Sequence, residues 1–564
     1  MRYELAMDSD TALDRRRYLG LLGGSAVTGI AGCTGGSNQE GTVGTSSDSD
    51  SDQDTDSSSE SSSGNLRGGH LRIAITPETT TINPVMMQSK FPQRWGVKLF
   101  YSTLTRVDSN LEPYGDLAED WSSNDASDEW TFTLREATFH DGSPVTAADV
   151  KATFETVYDE DVGSPGMGTM GDIQQVEAVD KRTVKFTLGT QNSDFHKLVS
   201  KGWGSIVPEN IVTDAEKRQA LGTEEHGSGA FTLESFAPGD QLVGVAYDDY
   251  YRTGDDGESL PYIDRISQIT IPEKSNQVNA LRSGDIDIIW QPGYGQWGQL
   301  QSLDSVTAHR TPGGEIANFV MNVSVEPWSD PRVRQAVKHA IDREAILNAV
   351  QDGLGTIGQD SLLSPAYEYY SDIGAPERDL EKAKELLAEA GYPDGINLTE
   401  EFDLTLQTAS NIPHMRGTAV LMQEQLKEVG IEFELETMSY DNWSATVWKK
   451  SPFYVGAYGM RISGANFMKL MLHSEGNWHG ESDWSNEEFD EVVDRAIAET
   501  DVDQKQQYMQ TAQKLVRDEG PYAISFYIDT IGASKNYVEK YNLNPLAYQI
   551  YPDEYALGSD APTK

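Results

Sequence analysis

The chain has 564 residues but a single cysteine, Cys33, and few basic residues. One thiol cannot form an intramolecular disulfide, and it excludes a metal site built from several cysteines. Lys and Arg together number 44 against 90 Asp and Glu, which gives a formal net charge of −46. A balance this acidic disfavours binding to nucleic acid or to an anionic membrane surface. We therefore expect neither as a partner of the folded chain.

Motifs that identify common enzyme classes are also missing. The sequence has no G-x-S-x-G, H-E-x-x-H, P-loop or dinucleotide-binding glycine pattern. His473 and His479 are six residues apart with no third ligand in register, so we expect no metal site. Paired carboxylates are too frequent in so acidic a chain to identify a glycosidase pair. We predict a protein that is not an enzyme and needs no cofactor, with a secreted hydrolase as the disfavoured alternative.

The acidic residues are scattered through the chain, and no single charge block carries the excess. An acidic surface that steers a substrate is one interpretation of this pattern. Adaptation to high salt, where dense counterions screen the repulsion between like charges, is the interpretation that we favour.

The N-terminus has the charge order of an export signal. Three arginines at residues 15–17 precede an apolar run of small residues, 21–31, that is too short to span a bilayer. The arginines resemble a twin-arginine signal. The I-A-G-C ending at Cys33 resembles a lipobox, in which the cysteine is lipidated and becomes the new N-terminus. We expect residues 1–32 to be a signal and Cys33 to anchor the exported chain on the outer face of the cell membrane; a short buried helix with a stray thiol is the alternative.

Residues 33–67 follow as a predicted tether. Between residues 34 and 64 there is no aromatic residue and no Lys or Arg, while Ser, Gly, Thr and Asp dominate. Such a segment cannot bury enough apolar surface to fold. Its end-to-end distance as a flexible chain is roughly 30 Å.

A strand, a turn and a helix are predicted within residues 117–155. Apolar and polar residues alternate over 130–134, which is the period of a strand with one buried face. Residues 140–144 form a turn cluster with Gly and Pro. Thr146 stands at a helix N-cap with Asp149 three residues later, a variant of the capping box.

The order of residues in this module also carries a resemblance. L-A-E-x-W, then W-T-F-x-L-R, then F-H-D-G-x-P-V-T-A-x-D-V resembles the signature of the extracellular solute-binding proteins of family 5. These are the peptide, nickel and oligosaccharide receptors of ABC importers. Further matches extend the resemblance over about residues 70–550, and together with the N-terminus they make the chain look like a haloarchaeal-like lipoprotein of this family.

Strands that alternate with glycine-terminated helices indicate an α/β fold. The resemblance implies a two-lobed periplasmic-binding-protein clamp (type II, cluster C-like) with an extra small α+β domain inserted in lobe one. Gly313, Gly314 and Gly520 are predicted to form the hinge, although the glycine pair could be a plain turn. The expected domains are residues 68–109, 189–313 and 522–564 for lobe one, 110–188 for the inserted domain, and 314–521 for lobe two.

The ligand is expected between the lobes. Trp290, Tyr294 and Trp297 lie with two amides in a Gly-rich loop after a strand, and such rings and amides suit a sugar or an amide-rich peptide. The alternative is that these rings only pack the lobe. The candidate ligand-binding residues are Gln88, Phe91, Trp203, Trp290, Tyr294, Trp297, Tyr458, Arg461, Ser463 and Asn466.

One departure from the family pattern bears on the ligand. Peptide receptors of the family carry a W-x-A-D-Y-x-D-P segment whose Asp pairs with the peptide α-ammonium. The matching stretch here, residues 458–467, has no carboxylate and includes Arg461. Burying an ammonium without a counter-ion costs several kcal/mol, so free peptides lose ground to a neutral saccharide or to a ligand with an anionic group. Oligopeptide and oligosaccharide both remain open.

The resemblance thus implies an extracytoplasmic receptor of an ABC importer. It would be a monomer that captures an oligopeptide or oligosaccharide and delivers it to permease and ATPase subunits. A receptor that presents its ligand to a chemotaxis transducer is the alternative.

Overall fold

The computed structural model describes residues 66–76, 78–88 and 91–562, without the side chains of residues 91–94. The predicted signal, Cys33 and nearly all of the predicted tether lie outside these residues. None of the described helices is long and apolar enough to cross a membrane.

The described strands are β1 (His70–Ile75), β2 (Thr105–Val107), β3 (Pro113–Gly115), β4 (Ala118–Ser123), β5 (Glu129–Leu134), β6 (Ile173–Ala178), β7 (Thr183–Leu188), β8 (Phe231–Ala237), β9 (Gln241–Ala246), β10 (Arg265–Thr270), β11 (Ile288–Trp290), β12 (Val306–Met321), β13 (Gly355–Ile357), β14 (Ile396–Asn397), β15 (Leu406–Ala409), β16 (Ile431–Glu432), β17 (Leu435–Met438), β18 (Phe453–Tyr458), β19 (Tyr522–Lys535), β20 (Val538–Glu539) and β21 (Ala556–Leu557).

The described helices are α1 (Phe91–Phe100), α2 (Ala147–Val157), α3 (Phe195–Leu198), α4 (Glu209–Val212), α5 (Ala215–Ala220), α6 (Lys274–Ser283), α7 (Trp297–Gln301), α8 (Pro331–Ala340), α9 (Arg343–Gln351), α10 (Leu380–Glu389), α11 (Leu398–Phe402), α12 (Pro413–Lys427), α13 (Tyr440–Thr446), α14 (Gly464–Leu472), α15 (Glu487–Ala498) and α16 (Val502–Glu519).

The main sheet has eleven strands. Its order is β17-β15-β18-β12-β19-β11-β1-β10-β9-β8, and β13 pairs with β19 off this path. Strand β1 is parallel to β10 and β11, and β15 is parallel to β17 and β18, whereas β12 and β19 are antiparallel to each other. All fourteen residues of β19 are buried, as expected for a strand covered on both faces. The predicted mixed α/β fold is confirmed.

Strands β12 and β19 connect the two ends of this sheet. The first part of β12 pairs with the end of β19 that also pairs with β11, and the last part of β12 pairs with β18. The register between β12 and β19 shifts between Thr311 and Glu315, where Gly313 and Gly314 lie. A Cβ atom on Gly313 would come within 2.3 Å of the Ile528 carbonyl oxygen, so this close approach of two backbones requires glycine.

The predicted third hinge residue lies elsewhere. Gly520 ends α16, where a Cβ atom would come within 2.4 Å of the Val516 carbonyl oxygen. It ends this helix at the opposite end of β19 from β11, and its part in the hinge stays a prediction. The residue of β19 at the level of the glycine pair is Asp529, because Thr530 pairs with Thr311 and Ile528 pairs with Glu315.

A separate four-stranded antiparallel sheet has the order β4-β5-β7-β6 and lies within residues 110–188. The side chains of β5 alternate between partly buried and buried as predicted. The capping box that begins α2 is confirmed: the Thr146 backbone nitrogen and hydroxyl donate to Asp149 Oδ2 at 2.9 and 2.7 Å. The strand and the helix start of residues 117–155 could therefore be predicted from neighbouring residues alone.

Candidate functional site

A cavity lies beside the glycine pair, and we call it the junction cavity. It is lined by Glu315 of β12, Ile528, Asp529 and Thr530 of β19, Gln291 and Tyr294 after β11, Gly459 and Met460 after β18, and residues 545–548 near the end of the chain. The two strands that connect the ends of the main sheet thus meet loops from both of those ends here. Its volume is only about 20 Å³, so the two groups of strands would have to separate before a solute could enter between them.

The loop after β11 is held rigidly at the cavity. Gln291 has a φ of 53°, in the left-handed region that few residues other than glycine adopt. The ammonium of Lys274 donates to its carbonyl oxygen at 2.5 Å, and burial lowers the pKa of Lys274 to about 8. The hydroxyl of Tyr294 donates to the Asp529 carbonyl oxygen at 2.9 Å. The loop therefore presents an amide and a phenol ring in fixed positions.

The two carboxylates of the junction cavity have different partners. Asp529 accepts a hydrogen bond from Arg310 Nε; burial raises the pKa of Asp529, and Arg310 opposes this effect. Glu315 Oε1 lies 3.3 Å from His414 Nε2. Burial lowers the pKa of His414, and Glu315 offsets this only in part, so the imidazole is neutral at neutral pH.

A second cavity lies along what we call the seam, where residues 192–197 contact Glu368, Ser463, Asn466, Ile497 and Lys505. Asp194 is its central charge. Its carboxylate accepts from Lys505 Nζ at 2.7 Å and from the Ser463 hydroxyl at 2.6 Å. Burial opposes ionisation of Asp194, but the ammonium groups of Lys505 and Lys197 outweigh it and hold its pKa well below the ordinary range.

Some of the predicted ligand-binding residues lie at the junction cavity and others lie at or near the seam. Tyr294 lines the junction cavity. Ser463 is bound to Asp194 at the seam, and Asn466 exchanges amide hydrogen bonds with Asn192 there. Arg461 lies over the rings of Phe467 and Trp478, with its guanidinium carbon 5.7 and 5.6 Å from their centres.

Three of the predicted ligand-binding rings are instead packed inside the protein. Trp290 is 1% exposed, and its ring centre is 5.3 Å from that of Trp95 in α1. Trp203 is also buried and donates to the Met87 carbonyl oxygen at 3.1 Å. Tyr458 is buried, and its hydroxyl donates a hydrogen bond to Glu481 Oε1. None of these three residues lines the junction cavity. Their burial supports the alternative that the rings pack the lobe, and their role in ligand binding stays a prediction.

The remaining candidates do not line the junction cavity. Trp297 begins α7 and is half-buried, and Gln88 is exposed. The side chain of Phe91 lies outside the described residues. Among the described residues no three His, Cys, Asp or Glu side chains are arranged to hold a metal ion.

The sequence argument missed Glu315. The residue directly follows the glycine pair, and that position was the only signal available. In a chain with 90 acidic residues, a single carboxylate becomes notable only when the partners of the others are known.

The family follows from comparison with known proteins. The model of the bacterial extracellular solute-binding proteins, family 5 (middle region), matches residues 112–479, more than half of the chain. The chain belongs to this family. The predicted family and the predicted role as a solute-binding receptor are confirmed, and the relatives do not favour the signalling alternative.

Similar proteins have known names and structures. The oligopeptide-binding protein AppA of Bacillus subtilis (strain 168) is 28% identical over 470 residues, covering 79% of this chain and 84% of AppA. The glutathione-binding protein GsiB of Salmonella typhi is 25% identical over 504 residues, covering 87% of this chain and 94% of GsiB. The periplasmic binding protein DppA of Helicobacter pylori, in complex with the peptide STSA, has a TM-score of 0.72 at 21% identity and covers 88% of this chain and 99% of its own. This likeness shows the fold.

Proposed function

We propose that this family 5 receptor captures a short peptide or peptide-like solute in the junction cavity and delivers it to an ABC permease. The observation that carries the proposal is the position of the cavity, which is lined from both ends of the main sheet beside Gly313 and Gly314. We further propose the lobe boundaries given above, with the hinge at the glycine pair and Asp529. A ligand that contacts both lobes stabilises the closed state through its higher affinity for that state.

The polar groups of the cavity and the names of the relatives support a peptide. Arg461 lies over aromatic rings and Trp290 is buried, so the residue expected to meet an anionic ligand group and one of the rings expected to stack on a ligand are not offered to the cavity. Gln291, Tyr294 and the backbone around Gly459 supply polar groups that suit an amide-rich ligand. The names of AppA and GsiB, which bind an oligopeptide and glutathione, support the same choice.

The test is a ligand screen on the purified mature protein in molar salt. Thermal shift and calorimetry would compare a pool of tri- to pentapeptides with a pool of oligosaccharides, and mass spectrometry would identify any ligand that co-purifies. We expect the peptide pool to raise the melting temperature and the saccharide pool to leave it unchanged. A shift with saccharides alone, or with neither pool, would contradict the proposal.

We also propose that the chain is exported by the twin-arginine route, anchored through Cys33 and monomeric at the outer face of the cell membrane. The support is the arginine run, the apolar segment and the I-A-G-C ending. Cys33→Ser should release the protein into the medium, as measured by fractionation. Membrane-bound Cys33→Ser protein would overturn the anchor.

Adaptation to high salt is a further part of the proposal. With a net charge of −46, repulsion should destabilise the fold when salt falls from molar to about 0.1 M, where the screening length grows to about 10 Å. Equal melting temperatures at the two salt concentrations would contradict it.

A further inference from the structure

Of the two carboxylates that line the junction cavity, one has no Lys or Arg partner among the residues that the structure describes. Asp529 has Arg310 as its partner. For Glu315, no Lys or Arg nitrogen lies within 4.0 Å in the described part of the chain, and its basic neighbour is His414 at 3.3 Å. A neutral imidazole can donate one hydrogen bond but cannot balance a carboxylate charge.

The surroundings of Glu315 make this charge effective. Its side chain is 35% exposed, so it is partly removed from water, and partial desolvation strengthens its interaction with an opposite charge. Burial raises the pKa of the Tyr294 phenol, and the negative charge of Glu315 raises it further. The carboxylate and this phenol both line the cavity.

The geometry also brings a second segment to this part of β12. Glu315 follows Gly314, whose hypothetical Cβ would come within 2.8 Å of Met460 Cγ, so the glycine lets the segment after β18 approach β12 closely. Met460 and Gln291 line the same cavity from two different loops. A cationic ligand group at Glu315 would thus contact both proposed lobes.

We propose that Glu315 is the specificity-determining residue that pairs with a cationic nitrogen of the ligand in the junction cavity. This inference rests on the proposed function. It supplies, from β12, the counter-ion that residues 458–467 lack. The ligand class is then a peptide or peptide-like solute with an ammonium or guanidinium group, and a charge-assisted hydrogen bond would hold that group.

The cationic nitrogen could be a peptide α-ammonium or the side chain of Lys or Arg, and the experiment separates these sources. Calorimetry in molar salt would use three pools of tripeptides: free peptides without Lys, Arg or His, the same peptides N-acetylated, and N-acetylated peptides that contain Lys. The variants are Glu315→Gln, Glu315→Asp and, as a matched control, Glu177→Gln, since Glu177 is an exposed strand residue on β6.

We expect the wild type and Glu177→Gln to bind the free pool at least tenfold more tightly than the first N-acetylated pool. Tight binding of the Lys-containing pool instead would assign the nitrogen to a side chain. Glu315→Gln should abolish the preference, whereas Glu315→Asp, which keeps the charge, should retain part of it. Equal wild-type affinity for all three pools, or an unchanged preference in Glu315→Gln, would overturn the inference but leave the receptor function standing. Binding of no peptide pool would overturn the proposed function itself.

Discussion

The seam and the junction cavity lie at the two ends of one short segment, residues 459–464. They differ in whether their charged side chains have partners of opposite charge. Gly459 and Met460 line the junction cavity, while Ser463 and Gly464 line the cavity of the seam. At the seam each buried charge has an opposite charge within hydrogen-bonding distance: Asp194 with Lys505, and Lys197 with Glu368. At the junction, the basic group that the structure describes within 4.0 Å of Glu315 is the imidazole of His414.

This difference separates structural charges from functional ones. A buried ion pair with satisfied hydrogen bonds adds little net stability, but the loss of one partner is costly. The seam is therefore a contact between residues 192–197 and the proposed lobe two that depends on complete pairing. A carboxylate whose partner is missing is instead a candidate for ligand binding.

The largest effect is expected from breaking the seam. Asp194→Asn keeps the size of the side chain but leaves Lys505, which is 2% exposed, without its counter-ion. The variant should lose about 3–5 kcal/mol of unfolding free energy, measured by chemical denaturation in molar salt. The matched variant Ser463→Ala removes only one hydrogen bond to the same carboxylate and should cost about 0.5–1.5 kcal/mol. Equal losses in the two variants would show that the charge at Asp194 is not what holds the seam.

Glu481, a fully buried carboxyl, tests how a carboxyl behaves when its hydrogen-bond partners carry no charge. It accepts hydrogen bonds from the hydroxyls of Tyr454, Tyr458 and Tyr522. Burial raises its pKa to about 7, and these hydrogen bonds only partly oppose the shift. Because the folded-state pKa is raised, the folded protein binds more protons than the unfolded chain between about pH 4.5 and 7, so stability falls as pH rises through this range.

Glu481→Gln should remove that pH dependence. The neutral amide resembles the protonated carboxyl, so the variant should match the wild type near pH 5. Near pH 8.5 it should be more stable by up to about 3 kcal/mol, because one pKa unit corresponds to about 1.36 kcal/mol. Melting curves of both proteins at the two pH values would measure this, with Glu177→Gln as the control that keeps the wild-type slope. Parallel pH profiles for wild type and Glu481→Gln would contradict it.

The parts of the fold that the sequence predicted are local or carried by the family pattern. The capping box of Thr146 and the alternation in β5 depend on neighbours within a few residues, and both are confirmed. The hinge at Gly313, Gly314 and Gly520 was predicted from the family's order of segments and stays a prediction. A glycine after a helix, such as Gly520, looks the same in sequence whether it ends the helix or permits a bend.

The site was harder to predict because it depends on distant partners. Trp290 follows a strand, but its burial against Trp95 depends on how α1 packs on the sheet. Asp194 and Lys505 are 311 positions apart in sequence, so the pairing that makes the seam structural has no local signal. Glu315 stood out only after those pairings were known.

The glycine pair gives an intermediate effect and tests whether the junction cavity is shaped by glycine. Gly313→Ala would bring a Cβ within 2.3 Å of a backbone oxygen, which cannot move without disturbing β19, and should cost about 1–3 kcal/mol. Gly314→Ala would meet the flexible Met460 side chain, so its stability should change less and its peptide affinity should fall, because Met460 would be displaced within the cavity. Denaturation and calorimetry on the pair would measure both. A larger stability loss in Gly314→Ala than in Gly313→Ala would reverse this assignment.

The smallest effect on stability is expected at Glu315, where the effect on binding should be large. The wild-type carboxylate has no Lys or Arg within 4.0 Å among the described residues, so Glu315→Gln leaves no buried cation unpaired and preserves the size of the side chain. Its unfolding free energy without ligand should stay within about 0.5 kcal/mol of the wild type, in contrast to Asp194→Asn at the seam. The measurement is denaturation of the ligand-free variants in the same molar salt. A loss of several kcal/mol in Glu315→Gln would mean that this carboxylate is part of the fold's own charge pairing, and the distinction between the two cavities would fail. A stable variant that no longer prefers peptides with a free ammonium would place Glu315 on the binding side of that distinction, because folding would not require the charge while recognition would.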